Sequence, residues 1–343
     1  MTNKTVTVTG GARFHITLID MHGTVSNRVD GGVGFMLEDP AVRVAATAAP
    51  TRDVQWSSLV ATSQIAAFEP QVHEVLDRVR DVTDTGDWAV RIDTCPMPHT
   101  GLGAKTQTLL AVATAATAVY DKHLDLESLG RVTARGGTSG IGMYGFERGG
   151  LIVDGGHSFA DKNQTDAGYR PSAFSTTMRI PPLLSRMRFP AWPILLLTPH
   201  GREIHGPLEA SLFAEVCPVP LDDVRSLTHL LLMRLLPAVA ECNLSAFGRS
   251  LWDVQDHCWK AFEIDAQVVG IGRILRRLRS ELGVAGAGMS SWGTSIACFD
   301  PRLSDSRCSD LLQEVQNVMD DETDGGDLIL TRARNSAAAV SVG

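Results

Sequence analysis

The sequence predicts an α+β fold of two layers, with mixed sheets packed against helices. Three observations predict it. Segments of strand character come first, helical segments fill most of the second half, and the end is mixed, an order that a regular βαβ array does not give. The chain has 343 residues, room for two lobes at roughly 150 residues each, and a boundary is expected between residues 1–187 and 188–343. Hydrophobic residues make up 44% and charged residues 20%. That supplies a sizeable core and excludes disorder, collagen and small disulfide scaffolds.

The elements follow in chain order. Val6–Val8 and Arg13–Ile19 have strand character and lead into a glycine-rich run, Asp30–Gly34, read as a turn, before a short strand over Phe35–Leu37. Val72, Val75, Leu76, Val79 and Val82 fall at helical spacing within Pro70–Val82. Trp88–Asp93 alternates as a strand. The breaker cluster Pro96–Gly103 opens onto Ala104–Tyr120, rich in Ala, Leu and Thr, the outline of a glycine loop feeding a buried helix. Gly136–Gly150 is glycine-rich, and Leu151–Val153 is a strand entering Asp154-Gly155-Gly156-His157. Arg170–Pro182 reads as an extended loop and Trp192–Thr198 as a buried strand. Pro207–Leu282 is mostly helical, broken near Pro218–Pro220 and Asn243. Gly286–Gly293 reads as a second glycine loop before a strand at Thr294–Phe299. Leu311–Met319 is helical, Asp320–Asp327 an acidic turn, Leu328–Thr331 the last strand and Ser336–Gly343 a frayed tail.

Charge narrows the function. The net charge is −8, against general binding of nucleic acid or an anionic membrane but compatible with a local basic pocket for a phosphorylated small molecule. No run of about 20 apolar residues exists, and Met1–Gly10 lacks the apolar region of a signal peptide. Cys95, Cys217, Cys242, Cys258, Cys298 and Cys308 show no CxxC spacing and read as reduced thiols. A cytoplasmic protein is expected.

The strongest local signal is Gly101–Thr108, GLGAKTQT. Glycines let the backbone approach an anion, and a helix start offers unpaired N–H groups and the positive end of a dipole. Lys105, one of only five lysines, adds a point charge, and Thr106 and Thr108 add hydroxyls. The run is not a Walker A loop, because Ala104 stands where the second glycine belongs. A bland reading, a turn that only packs a helix, stands beside the anion-binding one. Asp30 beside Gly31 and Gly32 suits a sugar diol or a hydrated Mg²⁺, or equally an Asx cap of its own turn. Arg13 and His15 share a strand face, with Asp20 following. His15 suits a proton carrier, although a lone strand histidine is more often a half-buried structural residue. Arg135-Gly136-Gly137-Thr138-Ser139-Gly140 joins a guanidinium to hydroxyls and backbone N–H groups. Asp154 and His157 close a strand. No HExxH pair, GxSxG elbow or dinucleotide fingerprint appears; Ser291 occupies the last glycine position of a GxGxxG at 286–291. Trp252, Trp259 and Phe262 form an apolar helical stripe that reads as core.

Taken together, the blocks resemble the β-ribofuranosylaminobenzene 5′-phosphate synthase family. They are Arg13-x-His15-x-x-Leu18-Ile19-Asp20, Arg28–Gly34, Gly101-Leu102-Gly103-x-x-Thr106-Gln107, Arg135–Gly142, Asp154–Phe159 and Cys217–Leu221. The likeness runs collinearly from about residue 10 to the final strand. It implies the GHMP-kinase fold, named for galactose, homoserine, mevalonate and phosphomevalonate kinases. It also implies formation of a C–C bond between ribose and an aromatic ring. The donor would be 5-phosphoribosyl 1-diphosphate (PRPP), and the acceptor an aromatic carboxylic acid that loses CO₂ as diphosphate leaves. The acceptor is a 4-aminobenzoate or 4-hydroxybenzoate in methanopterin-type pathways. In relatives of C-nucleoside antibiotic pathways, of the formycin and pyrazofurin type, it is an aminopyrazole dicarboxylate, toward which the reading leans. In several of the kinases the SG motif continues into an aspartate. Here Gly142 stands at that place.

The resemblance implies a division of labour. Gly101, Gly103, Lys105, Thr106, Gln107 and Thr108 would hold the departing diphosphate, and Thr138 and Ser139 the other phosphate. Asp20 or Asp30 would hold the ribose hydroxyls or Mg²⁺. Arg135 or Arg170 would pair with the acceptor carboxylate, with Arg13, Ser290, Ser291 and Trp292 also on the acceptor side. His15 or His157 would take or orient a proton, and Asp20 and Lys105 complete the catalytic set. A small-molecule kinase using ATP at the same loop and a silent PRPP-binding relative are the alternatives. A homodimer is expected as the commonest oligomer.

Overall fold

The computed structural model describes residues 4–159, 179–200, 207–267 and 269–343. Its twelve strands, in chain order, are β1 (Thr5–Asp20), β2 (Arg28–Ala49), β3 (Asp53–Trp56), β4 (Asp87–Thr94), β5 (Leu151–Asp154), β6 (His157–Ser158), β7 (Leu183–Met187), β8 (Pro193–Pro199), β9 (Gly286–Met289), β10 (Ile296–Phe299), β11 (Gly326–Arg332) and β12 (Ala339–Val342). The helices are α1 (Thr62–Thr83), α2 (Ala104–Val119), α3 (Leu126–Thr133), α4 (Ile141–Arg148), α5 (Pro207–Val216), α6 (Leu221–Leu230), α7 (Leu236–Ala240), α8 (Leu244–Gln255), α9 (Cys258–Ala266), α10 (Val269–Ser280) and α11 (Cys308–Glu322).

Two sheets organise the chain. The first has the order β12-β1-β2-β4-β3, with β5 and β6 also paired to β2 and β7 to β5. Among the described strands of this sheet only β3 and β4 run parallel; the other pairs are antiparallel. The second is a four-stranded antiparallel sheet, β11-β8-β10-β9. A cut at 187/188 falls between β7 and β8, and the C-terminal strand β12 returns to the first sheet. One core joins the sheets: Phe14 and Phe35 pack with Phe189, Ile194, Leu196, Phe247 and Phe299. Phe35 and Phe189 stack at 4.4 Å between ring centroids.

α2 lies over the first sheet with twelve of its sixteen residues buried, so it is apolar all round, as a helix wrapped by protein must be. Leu109, Leu110, Val112 and Val119 each contribute about 1.5–3 kcal/mol by leaving water. α1 begins earlier than the spacing predicts, where Gln64 Oε1 accepts the Ala61 N–H at 2.8 Å, and it continues through Pro70.

Four expectations are corrected. The glycine run Asp30–Gly34 is interior to β2, not a turn. Its glycines admit neighbours: a Cβ on Gly32 would lie 2.9 Å from Ile141 Cδ1, and one on Gly34 would lie 2.4 Å from the Phe14 carbonyl. Gly286–Met289 is likewise a strand; a Cβ on Gly286 would meet Gly248 Cα of α8 at 2.4 Å. Both are close backbone approaches, the second use of glycine in strands. Asp320–Glu322 close α11 rather than a turn. The last residues form β12, registered on β1 from Val6↔Val342 to Thr9↔Ala339. Residues 170–178 of the expected extended loop lie outside the described residues. No helix among those described is long and apolar enough to cross a membrane, and the cysteines described are free thiols.

Candidate active site

The glycine corner is built by interlocking three segments. Gly101 and Gly103 sit at φ +84° and +68°, the left-handed region that favours glycine, and Gly103 starts α2 without a side-chain cap. The Arg13 N–H donates to the Leu102 carbonyl at 2.9 Å, tying the corner to β1. The turn Ser290–Gly293 closes on it from the second sheet. The Ser295 N–H donates to the Thr100 carbonyl at 3.1 Å and the Ser291 N–H to the His15 carbonyl at 3.2 Å. A Cβ on Gly101 would fall 2.0 Å from the Ser290 carbonyl oxygen, so no larger residue fits.

α4 brings a second helix start to the same place. Arg135 Nε donates to Thr106 Oγ1 at 2.9 Å, and Gln107 Nε2 to the Gly142 carbonyl at 2.9 Å. The Gly140 N–H donates to Asp154 Oδ2 at 2.8 Å and the Gly156 N–H to Oδ1 at 3.0 Å. Asp154 is fully buried; burial pushes its carboxyl up to about 6, against the pull of those N–H donors. The strand ends meet there too: His157 Nδ1 lies 3.2 Å from Asp30 Oδ2, and its Nε2 lies 2.9 Å from the Arg179 carbonyl.

Through these contacts the structure gathers Arg13, His15, Asp30, Gly101, Gly103, Thr106, Gln107, Arg135, Ser139, Ser290 and His157 into one connected region. Lys105 stands in the first turn of α2, its ammonium pKa lowered by burial and by the Arg135 guanidinium. Some of the buried side-chain polar atoms without a protein partner lie in or beside this region: both ring nitrogens of His15, Gln107 Oε1, Thr108 Oγ1 and Thr138 Oγ1. Native interiors leave few such groups unpaired, so each of these is available to a polar ligand. His15 is held uncharged: burial, then Arg13, then Lys260, lower its pKa well below the usual histidine value.

Other expected residues are already engaged. Ser290 is fully buried with its hydroxyl spent between two backbone groups. Ser291 contributes its backbone, at φ +50°. Trp292 is buried, edge-on to Trp259 at 5.6 Å and Phe262 at 6.0 Å. Arg170 lies outside the described residues. The two aspartates do not fit a resident Mg²⁺. Asp20 Oδ1 accepts from the His22 and Gly23 N–H groups and Oδ2 from Ser26 Oγ, all at 2.9 Å, while Asp30 turns an oxygen to His157. Among the described residues no cluster of three metal-ligating side chains exists.

Sequence reading missed Lys260 and Glu263, an ion pair one turn apart on α9 with both side chains buried. The stripe of Trp259 and Phe262 hid them, although a lysine and a glutamate each following one of those aromatics was the available signal.

No protein-family model matches the sequence. The chain is 32% identical over 329 residues to the β-ribofuranosylphenol 5′-phosphate synthase of Methanocaldococcus jannaschii, covering 94% of this chain and 96% of that protein. It is 33% identical over 332 residues to the synthase of the same name from Archaeoglobus fulgidus, covering 96% and 98%. Among solved structures, Lactococcus lactis galactokinase with galactose superposes with a TM-score of 0.67 at 11% identity, over 98% of this chain and 95% of that one. Homoserine kinase from Cytophaga hutchinsonii gives 0.64 at 13% identity, over 99% and 98%. These structures establish the GHMP-kinase fold, and the full-length relatives establish the family: the chain belongs to the β-ribofuranosylphenol 5′-phosphate synthases, enzymes that transfer a pentose with formation of a C–C bond.

Proposed function

We propose that this enzyme joins the ribose of PRPP to the ring carbon of an aromatic carboxylic acid, releasing diphosphate and CO₂. The observation that carries the reading is the meeting of two helix starts, α2 and α4, around Lys105, Arg135 and unpartnered buried hydroxyls. As the C1–O bond lengthens, negative charge builds on the diphosphate. The N–H groups of the first turn of α2 and the Lys105 ammonium are fixed there to receive it. Thr138 and Ser139, before α4, take the 5-phosphate. Mg²⁺ enters with the diphosphate as part of the substrate.

The ring carbon bearing the carboxylate attacks C1. The C–CO₂ bond then breaks, its electron pair returns to the ring, and no protein nucleophile is needed. A base that removes the proton of a ring hydroxyl or amino group makes that carbon richer in electrons. His15 suits the task, with both ring nitrogens unpartnered and the ring uncharged. His157 has both nitrogens engaged and serves to hold Asp30.

The relatives' name ends in a phenol, which makes 4-hydroxybenzoate the first acceptor to try; an aminopyrazole dicarboxylate is the second. Incubation with PRPP, Mg²⁺ and a panel of benzoates and pyrazole carboxylates should release diphosphate and CO₂ in equal amounts with at least one acid. No release with any member overturns the reading. A kinase reading is disfavoured at Gly142, where a Cβ would already press on Gln107 Nε2 and Thr106 Cγ2 at 3.3 Å, leaving an aspartate little room.

A further inference from the structure

We infer that Lys260 is a positioning residue for the reaction: from behind the site it holds the turn that carries His15 and locks the glycine corner. The inference rests on the reading of His15 as the base.

The geometry runs through four residues. α9 packs against β1. Lys260 Nζ donates to the Met289 carbonyl at 3.3 Å. The next residue, Ser290, accepts the His15 backbone N–H and donates to the Gly101 carbonyl. A single buried ammonium therefore braces the turn that fixes both the base and the diphosphate corner. Glu263, one turn along α9, neutralises it. Such a pair is a weak source of stability, because desolvating two charges offsets their attraction. What it delivers is a charge fixed at one place in a region that screens little.

Arg13 acts on His15 from the same strand and Lys260 from α9, both as cations. Asp154 approaches from β5: its Oδ2 and His15 Nε2 lie 3.4 and 3.1 Å from the same point, the Cβ position over Gly32. The Ser290–Gly293 turn brings no charge. Burial first, and then the two cations, leave the imidazole neutral and able to accept a proton.

The test uses two variants of the full chain. Lys260→Met with Glu263→Gln removes both charges at similar volume, and Lys260→Gln removes the cation while keeping a donor for Met289. The His15 ring is titrated by NMR without substrates, and kcat/KM is followed against pH. In either folded variant His15 should titrate at higher pH than in the wild type. The acid limb of kcat/KM should move the same way, with about a threefold or greater loss on that limb relative to each variant's own plateau. Lys260→Arg should restore the wild-type profile. An unchanged His15 titration in both folded variants overturns the inference. The NMR readout needs no turnover, so it decides this point even if the proposed reaction fails.

Discussion

The Ser290 hydroxyl stands between β1 and the glycine corner: Oγ accepts the His15 N–H at 2.9 Å and donates to the Gly101 carbonyl at 2.7 Å. Residues 275 and 189 positions away in sequence meet at one atom. Ser290→Ala leaves an N–H and a carbonyl unpaired in the interior. It should lower stability by about 1–3 kcal/mol in urea unfolding. Because the corner loses its brace, kcat/KM should fall about tenfold or more. Wild-type values for both would show that the lock is dispensable.

The two glycines of the corner should separate cleanly. A Cβ on Gly101 collides with backbone at 2.0 Å, whereas one on Gly103 meets the Arg13 side chain at 3.0–3.1 Å, which can move. Gly101→Ala should lose PRPP binding and much of its folding yield. Gly103→Ala should lose about 1–2 kcal/mol, the left-handed penalty for a residue with a Cβ, and bind PRPP more weakly. Isothermal titration and thermal unfolding of both proteins check the order; the reverse order would contradict the packing.

Much of this was legible beforehand, and the failures share a cause. A glycine loop running into an apolar, helix-forming run forecast α2 and its start at Gly103, because both signals are local. Asp30–Gly34 and Gly286–Gly288 misled because glycine reports either a turn or a close approach. Only the packing of Ile141 on Gly32, or α8 on Gly286, tells which. β12 was invisible because its order comes from the edge of β1, not from its own sequence. Lys260 was hidden in part for the same reason: its Met289 partner is brought to it by tertiary packing, although Glu263, one turn along the same helix, was a local signal.

Lys105→Ala should weaken PRPP binding about tenfold or more while changing stability little, since the lysine contributes a point charge to the ligand rather than to the core. Its ammonium already sits beside a second cation and is partly desolvated, which lowers its pKa. Relief of that repulsion in the free protein offsets any packing lost. Competition binding with diphosphate reads the effect, and unchanged affinity would remove the lysine from the site.

Acidification should act through His15 with a definite sign. Its folded pKa lies below the ordinary value of about 6.5, so the unfolded chain takes the proton first. The stability from burying it neutral is complete above that value and is lost as pH falls below it. Asp154 opposes: raised to about 6, it protonates first in the native state and favours the fold as pH drops toward about 4. His15→Gln should therefore lose less stability than wild type between about pH 7 and pH 5, and should lower kcat by about 100-fold or more. Parallel stability curves for the two proteins would place the histidine outside the buried, neutral state.

Asp154→Asn should uncouple the two loops that this side chain joins. An amide nitrogen at Oδ1 would face the Gly156 N–H, donor against donor, and one at Oδ2 would face the Gly140 N–H. Either orientation leaves a buried donor unpaired, about 1–3 kcal/mol, and frees the start of α4. The expected result is a lower urea midpoint together with a higher KM for PRPP; a stabilised, fully active variant would show that the carboxylate does not organise the site.

The most direct measurement is a crystal structure of the enzyme grown with PRPP. The account predicts diphosphate density against the first turn of α2, in contact with Lys105, and the 5-phosphate near Thr138 and Ser139. Density for PRPP elsewhere in the molecule, with that corner filled only by solvent, would contradict it.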